Sequence, residues 1–275
     1  MPFTDRRGQR LHYRTYGSPT APPLLLVMGL GLSSEAWDLL PDKLSPRHHV
    51  ITFDNRGTGE SASPRGPFTL RALADDAASV LDAAGAAQAD VLGISMGGMI
   101  AQELVLRHPA RVRHLALGCT FASWIRSHHP KPGVLLDLFA VMSRRAGLER
   151  AASLLVGPGF LDQPGGPKRF QHWRDCADRG RARGSALLQM IAVSLHGTTN
   201  RLGTVRAKTL VMTGDRDRLV RPENATALAR AIPGARLHVF AGAGHVFPLE
   251  REPEMVALLG EHFLGGAGLD ARAGG

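Results

Sequence analysis

Ser95 stands within Gly93-Ile94-Ser95-Met96-Gly97-Gly98, after an apolar run ending at Val91-Leu92 and before a helical pattern of Met99, Ile100, Leu104 and Val105. The order reads as strand, sharp turn, helix, with a hydroxyl at the apex. A serine in such a turn is pushed clear of its sheet. Glycines two before and two after it keep side chains out of the place where strand and helix nearly touch, and Gly98 lets the helix pack closely. In a chain with 32 glycines this pentapeptide also fits an inert connection, so partners elsewhere must decide. A serine hydroxyl is a weak nucleophile until a base takes its proton and a third group orients that base. Groups that react above a parallel sheet lie just beyond strand C-termini. Two such positions carry candidates. The turn Thr213-Gly214-Asp215-Arg216-Asp217 follows Leu210-Val211-Met212 and leaves Asp215 and Asp217 both open. Ala241-Gly242-Ala243-Gly244-His245 follows Leu237-His238-Val239-Phe240. Among twelve histidines only His245 joins strand-end placement to the downstream order; His108 closes a helix before Pro109, and His48-His49 precede a strand. The Met96 N–H, opening the helix after Ser95, is one donor for a developing oxyanion.

The elements that would position these groups alternate. Leu11 to Tyr16 alternates polar and apolar residues like an early antiparallel strand. Leu24 to Met28 is a continuous apolar run, as in a strand buried on both faces. Val50 to Phe53 is another strand, and Leu70 to Ala84 is a helix with Leu73, Ala77, Val80 and Leu81 on one face. Strand Ala89-Leu92 leads into the serine turn, and Val112 to Leu117 is the next strand. Beyond it, 121–202 is helical in pattern and lacks a buried-strand run. Strand, helix, strand, helix resume at Thr209–Met212, Glu223–Ala231, Leu237–Phe240 and Pro253–Leu264. This alternation predicts an α/β fold, a mostly parallel twisted sheet with helices on both faces. The core is expected at 1–120 and 203–265, with 121–202 inserted as a helical lid. The Gly/Ala-rich stretch 266–275 is expected to be a flexible tail.

Composition narrows the function classes. The 275 residues are 44% hydrophobic and 21% charged, ordinary for a globular domain able to bury a sizeable core. No apolar run is long enough to span a membrane, and the start Met1-Pro2-Phe3-Thr4-Asp5-Arg6-Arg7 has no apolar secretory stretch, so a cytoplasmic location and no membrane partner are expected. The net charge of +9 comes almost wholly from arginine spread along the chain; the four lysines, Lys43, Lys131, Lys168 and Lys208, lie far apart. With no basic run interleaved with aromatics, nucleic acid is not an expected partner. Cys119 and Cys176 fit no metal-ligand or CxxC spacing and read as reduced thiols. Asp54 to Ser61 lacks the lysine and helix context of a phosphate-binding loop.

Taken together, the chain resembles the α/β-hydrolase fold family over nearly its whole length. The resemblance rests on Met28-Gly29-Leu30-Gly31 after a strand, Asp54-Asn55-Arg56-Gly57-Thr58-Gly59-Glu60-Ser61, the Ser95 turn, Gly214 to Asp217, and Gly244-His245. The order Ser, Asp, His is that of this architecture. Within the family the chain looks most like small serine esterases and lactonases, including the enol-lactonase-like branch. The resemblance implies a catalytic triad of Ser95, Asp217 and His245; the family's Gly-x-x-Asp spacing selects Asp217 and leaves Asp215 to cap the turn. It places the second oxyanion donor at the Leu30 N–H, although Met28 stands where the family often has histidine. The loop from Asp54 is structural in the family, with Arg56 expected to anchor neighbouring backbone. The implied activity is hydrolysis of a carboxylic ester or lactone of a small, largely apolar molecule, with no metal and no organic cofactor. Trp124, Phe139, Met142, Trp173 and His196 in the lid are candidate pocket residues, with a surface or partly buried place also open to His196. A serine at the turn excludes branches whose nucleophile is aspartate. Peptide, thioester and C–C bond cleavage, peroxide chemistry, cyclase or lyase activity and ligand reception stay open, as do monomer and homodimer.

Overall fold

Eight strands pair in the order β1-β2-β4-β3-β5-β6-β7-β8. The computed structural model describes residues 2–180 and 184–265, so the expected tail at 266–275 lies outside the described residues. The chain runs β1 (Phe3–Arg6), β2 (Gln9–Tyr16), β3 (Pro23–Val27), α1 (Leu40–Leu44), β4 (His49–Phe53), α2 (Leu70–Ala83), β5 (Ala89–Ile94), α3 (Met96–Arg107) and β6 (Val112–Gly118). Four helices follow, α4 (Pro132–Met142), α5 (Leu148–Leu155), α6 (Gly166–Asp178) and α7 (Ala186–Ser194). The chain then returns through β7 (Lys208–Gly214), α8 (Pro222–Ala231), β8 (Arg236–Phe240), α9 (Phe247–Glu250) and α10 (Glu252–Leu264). Only β1–β2 and β2–β4 are antiparallel; every pairing from β4 to β8 is parallel.

Two cores flank the sheet because side chains alternate along each strand. Leu25, Val27, Ile51 and Val91 point to one layer, which is closed by Leu73 and Leu81 of α2, Ile100 and Leu104 of α3, and Leu228 of α8. Their neighbours Leu24, Leu26, Val50 and Leu92 point to the other, closed by Leu44 of α1, Met255 and Leu259 of α10, and Leu154 and Phe170 of the insertion. Burial on both faces is why these strands read as unbroken apolar runs. At the sheet edge β8 is covered less: Leu237 and Val239 are exposed and only Phe240 is fully buried. Two elements go beyond the sequence reading. The polar β1 is held by pairing Phe3 with His12 and Arg6 with Gln9, and the five-residue α1 is too short to show a helical period.

The turn at Ser95 depends on a close approach. An added Cβ on Gly97 would lie 1.9 Å from the Val27 carbonyl oxygen, and one on Gly93 would lie 2.3 Å from the Gly97 carbonyl oxygen. Both obstacles are backbone, which cannot rotate away, so the glycines let α3 start directly against β3. The β4 loop is braced by buried Asp54, which accepts hydrogen bonds from the Ser34 amide (2.7 Å), the Glu60 amide (3.0 Å) and His12 Nδ1 (3.0 Å). Burial alone would raise this carboxyl; the His12 and backbone donors outweigh it and hold it below the usual carboxylate range. Arg56, expected to hold backbone, instead grips the buried carboxylate of Asp76 on α2 at 2.8 and 2.7 Å and lies over the Phe68 ring. Its bidentate geometry suits a carboxylate better than single carbonyls. Gly97→Ala is expected to cost about 1–3 kcal/mol through overpacking against Val27; urea denaturation would read this, and wild-type stability would refute the close-approach argument.

Candidate active site

β5 ends at Ile94, and Ser95 takes φ 57° and ψ −121°, a left-handed conformation that is strained for a residue with a Cβ. The strain is held by hydrogen bonds on both sides. Ser95 N–H donates to Gly118 O (2.9 Å), while the Ser95 carbonyl accepts from Gly98 N (2.9 Å) and Thr120 Oγ1 (2.8 Å). Beyond β7, Asp217 Oδ1 accepts the Leu219 and Val220 amides, both at 2.8 Å, and so closes its own turn. That leaves Oδ2 for His245 Nδ1 at 2.8 Å, with both residues buried. Asp215 turns the other way and accepts the Gly242 amide at 2.7 Å, bracing the loop that carries the histidine. The tertiary contacts thus separate the two carboxylates that the sequence left open.

The His245 loop is pinned from both sides. Glu250 is buried and accepts the Gly244 amide on one oxygen and the Gly157 amide on the other, each at 2.7 Å. Val246 N–H donates to Leu155 O at 2.8 Å. Burial pushes the Glu250 carboxyl up, opposed by these two amide donors. Burial also works against charging His245, but the Asp217 carboxylate outweighs it and holds the imidazole well above its usual range. Cys119, fully buried at the end of β6, lies against His245, and burial pushes its thiol up, keeping it protonated.

Ser95 and His245 wall one cavity of about 690 Å³, which also touches Leu30 and Met96. Trp124, Phe139, Met142 and Trp173 all lie in its wall. His196 does not line it. This histidine is buried behind Phe121, with ring centroids 6.3 Å apart, and burial lowers it to about 4, so it is neutral. The loop at Leu30 is held by two side chains that local sequence did not reveal. Asn55 Nδ2 donates to Met28 O at 3.1 Å. Buried Gln189 of α7 accepts the Gly31 amide at 2.7 Å and donates to Arg56 O at 3.3 Å. A glutamine 158 positions away carries no spacing signal. These contacts anchor the loop without a histidine at Met28.

Two groups bring potential metal-ligand atoms within 4.8 Å of one another among the described residues: Cys119, Asp217 and His245, and Asp38, His172 and Cys176. The first already commits Asp217 to His245. In the second, His172 Nε2 lies 3.0 Å from Asp38 Oδ1 and the Arg179 guanidinium donates to Cys176 Sγ at 2.9 Å. The chemistry available to the main site is different. A serine hydroxyl at a helix N-terminus, a buried carboxylate–imidazole pair and an apolar cavity are the parts that attack on an uncharged carbonyl would need.

Comparison with known proteins agrees with this architecture. The α/β-hydrolase fold profile matches residues 22–252, and the chain belongs to that family. It is 32% identical over 265 residues to RutD of Azorhizobium caulinodans, a protein named for carbamate hydrolysis, covering 90% of this chain and 92% of the relative. It is 31% identical over 248 residues to the poly(3-hydroxyalkanoate) depolymerase of Ectopseudomonas oleovorans, covering 88% and 84% of the two chains. The enol-lactonase of Burkholderia xenovorans LB400 superposes with a TM-score of 0.80 over 96% of this chain and 100% of its own, at 24% identity, a likeness of fold. Membership of this family, together with relatives named for hydrolysis and depolymerisation, makes the chain an α/β-hydrolase enzyme.

Gln189→Leu removes the acceptor of the Gly31 amide without touching Ser95 or His245. Hydrolytic turnover is expected to fall about 10–100-fold with the fold intact, since a displacement near 1 Å costs about that much. Unchanged turnover, with circular dichroism confirming the fold, would remove Gln189 from the positioning of this loop.

Proposed function

We propose that the protein is a serine hydrolase that cleaves a carboxylic ester or lactone of a small, largely apolar substrate through an acyl-enzyme. The observation that carries this reading is the buried 2.8 Å Asp217–His245 pair opening on the same cavity as the strained Ser95. Asp217 holds the proton on Nδ1 of neutral His245, so the Nε2 lone pair serves as base. Ser95 Oγ attacks the carbonyl carbon and passes its proton to His245, and the carbonyl oxygen takes the charge. The Leu30 and Met96 amides, aided by the N-terminus of α3, bind that oxyanion. His245 then protonates the leaving alkoxide, and water repeats the steps to release the acid and restore Ser95. In a lactone the leaving hydroxyl stays tethered to the acyl group, so one product forms instead of two.

The insertion, residues 121–202, acts as the lid: Trp124, Phe139 and Met142 present apolar surface to the acyl group. Every proton transfer is assigned to a side chain, so the cycle needs no metal or organic cofactor; the substrate is a small molecule, and the enzyme is placed in the cytoplasm. The depolymerase relative favours an ester carbonyl. The RutD likeness adds a second reading, attack on a carbamate carbonyl by the same groups with an amine as leaving group.

A fluorophosphonate probe with intact-mass analysis is expected to add once to wild type and not to Ser95→Ala. A wild type that stays unlabelled, or substrate turnover that survives Ser95→Ala, would refute the nucleophile. Panels of p-nitrophenyl esters, lactones and carbamates then rank the bond types. Because Asp217 raises His245 and only the neutral imidazole is a base, kcat/KM is expected to rise with pH with a midpoint above 6.5. Asp217→Asn removes the charge and leaves burial, so it is expected to lower that midpoint and cut kcat by about 10³–10⁴-fold. An acid limb that ignores this substitution would separate Asp217 from the base.

A further inference from the structure

The outer face of the insertion does not look like ordinary protein surface. On α4, Leu135, Leu136 and Phe139 are exposed, at spacings that share one side of a helix; on α7, Leu187, Met190 and Ile191 do the same. Ile125 (86% exposed) and Leu195 (72%) add to them. The Ser123–Gly197 bridge and the Trp124 N–H to His196 O bond (3.1 Å) bring the segments carrying these two side by side. The inner faces of the same helices are buried at Val134, Ala140, Gln189 and Ala192, so neither helix is loose on the fold. Isolated exposed leucines need no explanation, but a clustered apolar surface at a cavity mouth does. Leu135, Phe139, Leu187 and Met190 are both exposed and part of the cavity wall, so the apolar surface runs unbroken from solvent into the proposed substrate site.

Charge is concentrated in the same segment. Residues 121–202 hold twelve Lys and Arg against five Asp and Glu, a net +7 of the chain's +9 in under a third of its length. Exposed Arg126 follows Ile125, exposed Lys131 precedes α4, and exposed Arg145 follows it. Apolar side chains rimmed by cations fit an interface that is apolar within and anionic at its surface. The cations at Arg126, Lys131 and Arg145 disfavour a second copy, because like charges around two such faces repel on approach.

We infer that the α4–α7 face docks the protein on an anionic lipid surface, with the cavity mouth turned toward the layer from which it draws its apolar substrate. This rests on the proposed cavity-sited hydrolysis and names where that substrate is met. Among the described residues no helix is long and apolar enough to cross a membrane; the docking proposed is through this face. It revises the expectation of no membrane partner, which came from the absence of a spanning segment and did not address a surface assembled from scattered positions.

The test is co-sedimentation of the full chain with phosphatidylglycerol/phosphatidylcholine vesicles and with pure phosphatidylcholine vesicles, at low and high salt. Wild type and Ser95→Ala are expected to bind the anionic vesicles alike, so docking is read apart from catalysis. Binding is expected to be about tenfold or more weaker on pure phosphatidylcholine and to fall as salt rises. The triple variant Ile125→Ser, Leu136→Ser, Leu195→Ser alters residues outside the cavity wall. It is expected to lose about tenfold or more in vesicle binding while keeping wild-type turnover of a dissolved p-nitrophenyl ester; if it misfolds, Leu136→Ser alone is expected to weaken binding measurably. Lys131→Glu with Arg145→Glu is expected to lose the preference for anionic vesicles. No binding by wild type, equal binding to both vesicle types, or a wild-type dimer that the triple variant converts to monomer would each overturn the inference, the last by making the face a self-interface.

Discussion

A buried imidazole facing a buried carboxylate is the constraint around which this molecule is arranged. Asp217 is buried with its donors already in place: two backbone amides on one oxygen and His245 on the other. Such a pair is stable only when neither group is left unpartnered. The loops bearing the two residues therefore cannot move independently, and Asp215 on the Gly242 amide ties them together once more. The pair sets the position of the imidazole, which we propose as the base, and the strained backbone at Ser95 sets the position of the hydroxyl in the same cavity wall.

Around this pair lies a second ring of buried polar side chains whose partners are backbone. Glu250 holds Gly244 and Gly157, Gln189 holds Gly31 and Arg56, Asn55 holds Met28, and Asp54 holds Ser34 and Glu60. Each meets the hydrogen-bonding needs of a buried loop, which apolar packing cannot do. Two of them cross between sheet and insertion: Gln189 sits on α7 and reaches the Leu30 loop, while Glu250 follows β8 and reaches Gly157. The helices above the cavity are thereby coupled to the loops that aim the reacting groups. A change in the insertion is felt at the site through hydrogen bonds as well as through the shape of the pocket.

The insertion answers two opposed demands. Its inner surface must pack on the second core, which it does through Leu154, Phe160, Phe170 and Trp173. Its outer surface leaves leucines, isoleucines, a phenylalanine and a methionine partly or largely in water, and the part so exposed adds nothing to folding. A chain under selection for solubility alone would replace them. Four of them, Leu135, Phe139, Leu187 and Met190, also line the cavity, so the exposed apolar surface is continuous with its wall.

Periodicity and short-range spacing alone identified most of the core. Parallel strands buried on both faces are apolar along most of their length, so β3 through β7 were legible; α2 carried a one-sided pattern, and α3, α8 and α10 read as helical stretches. The edge strand β1 and the short α1 escaped because a four-residue polar strand and a single helical turn have no period to read. The Ser95 turn was legible because its glycines answer a local clash, and the strand-end rule led to His245 and to the turn that carries Asp215 and Asp217. What the linear chain could not decide were relations between distant parts. These include which aspartate of the 215–217 turn meets the imidazole, and that Gln189 and Glu250 hold loops far from themselves. They also include the placement of His196 behind Phe121 instead of in the cavity, and the grip of Arg56 on Asp76. Local sequence records the conformational preference of a segment; hydrogen bonds and burial between segments exist only after the chain has closed on itself, and at this site they choose the partners.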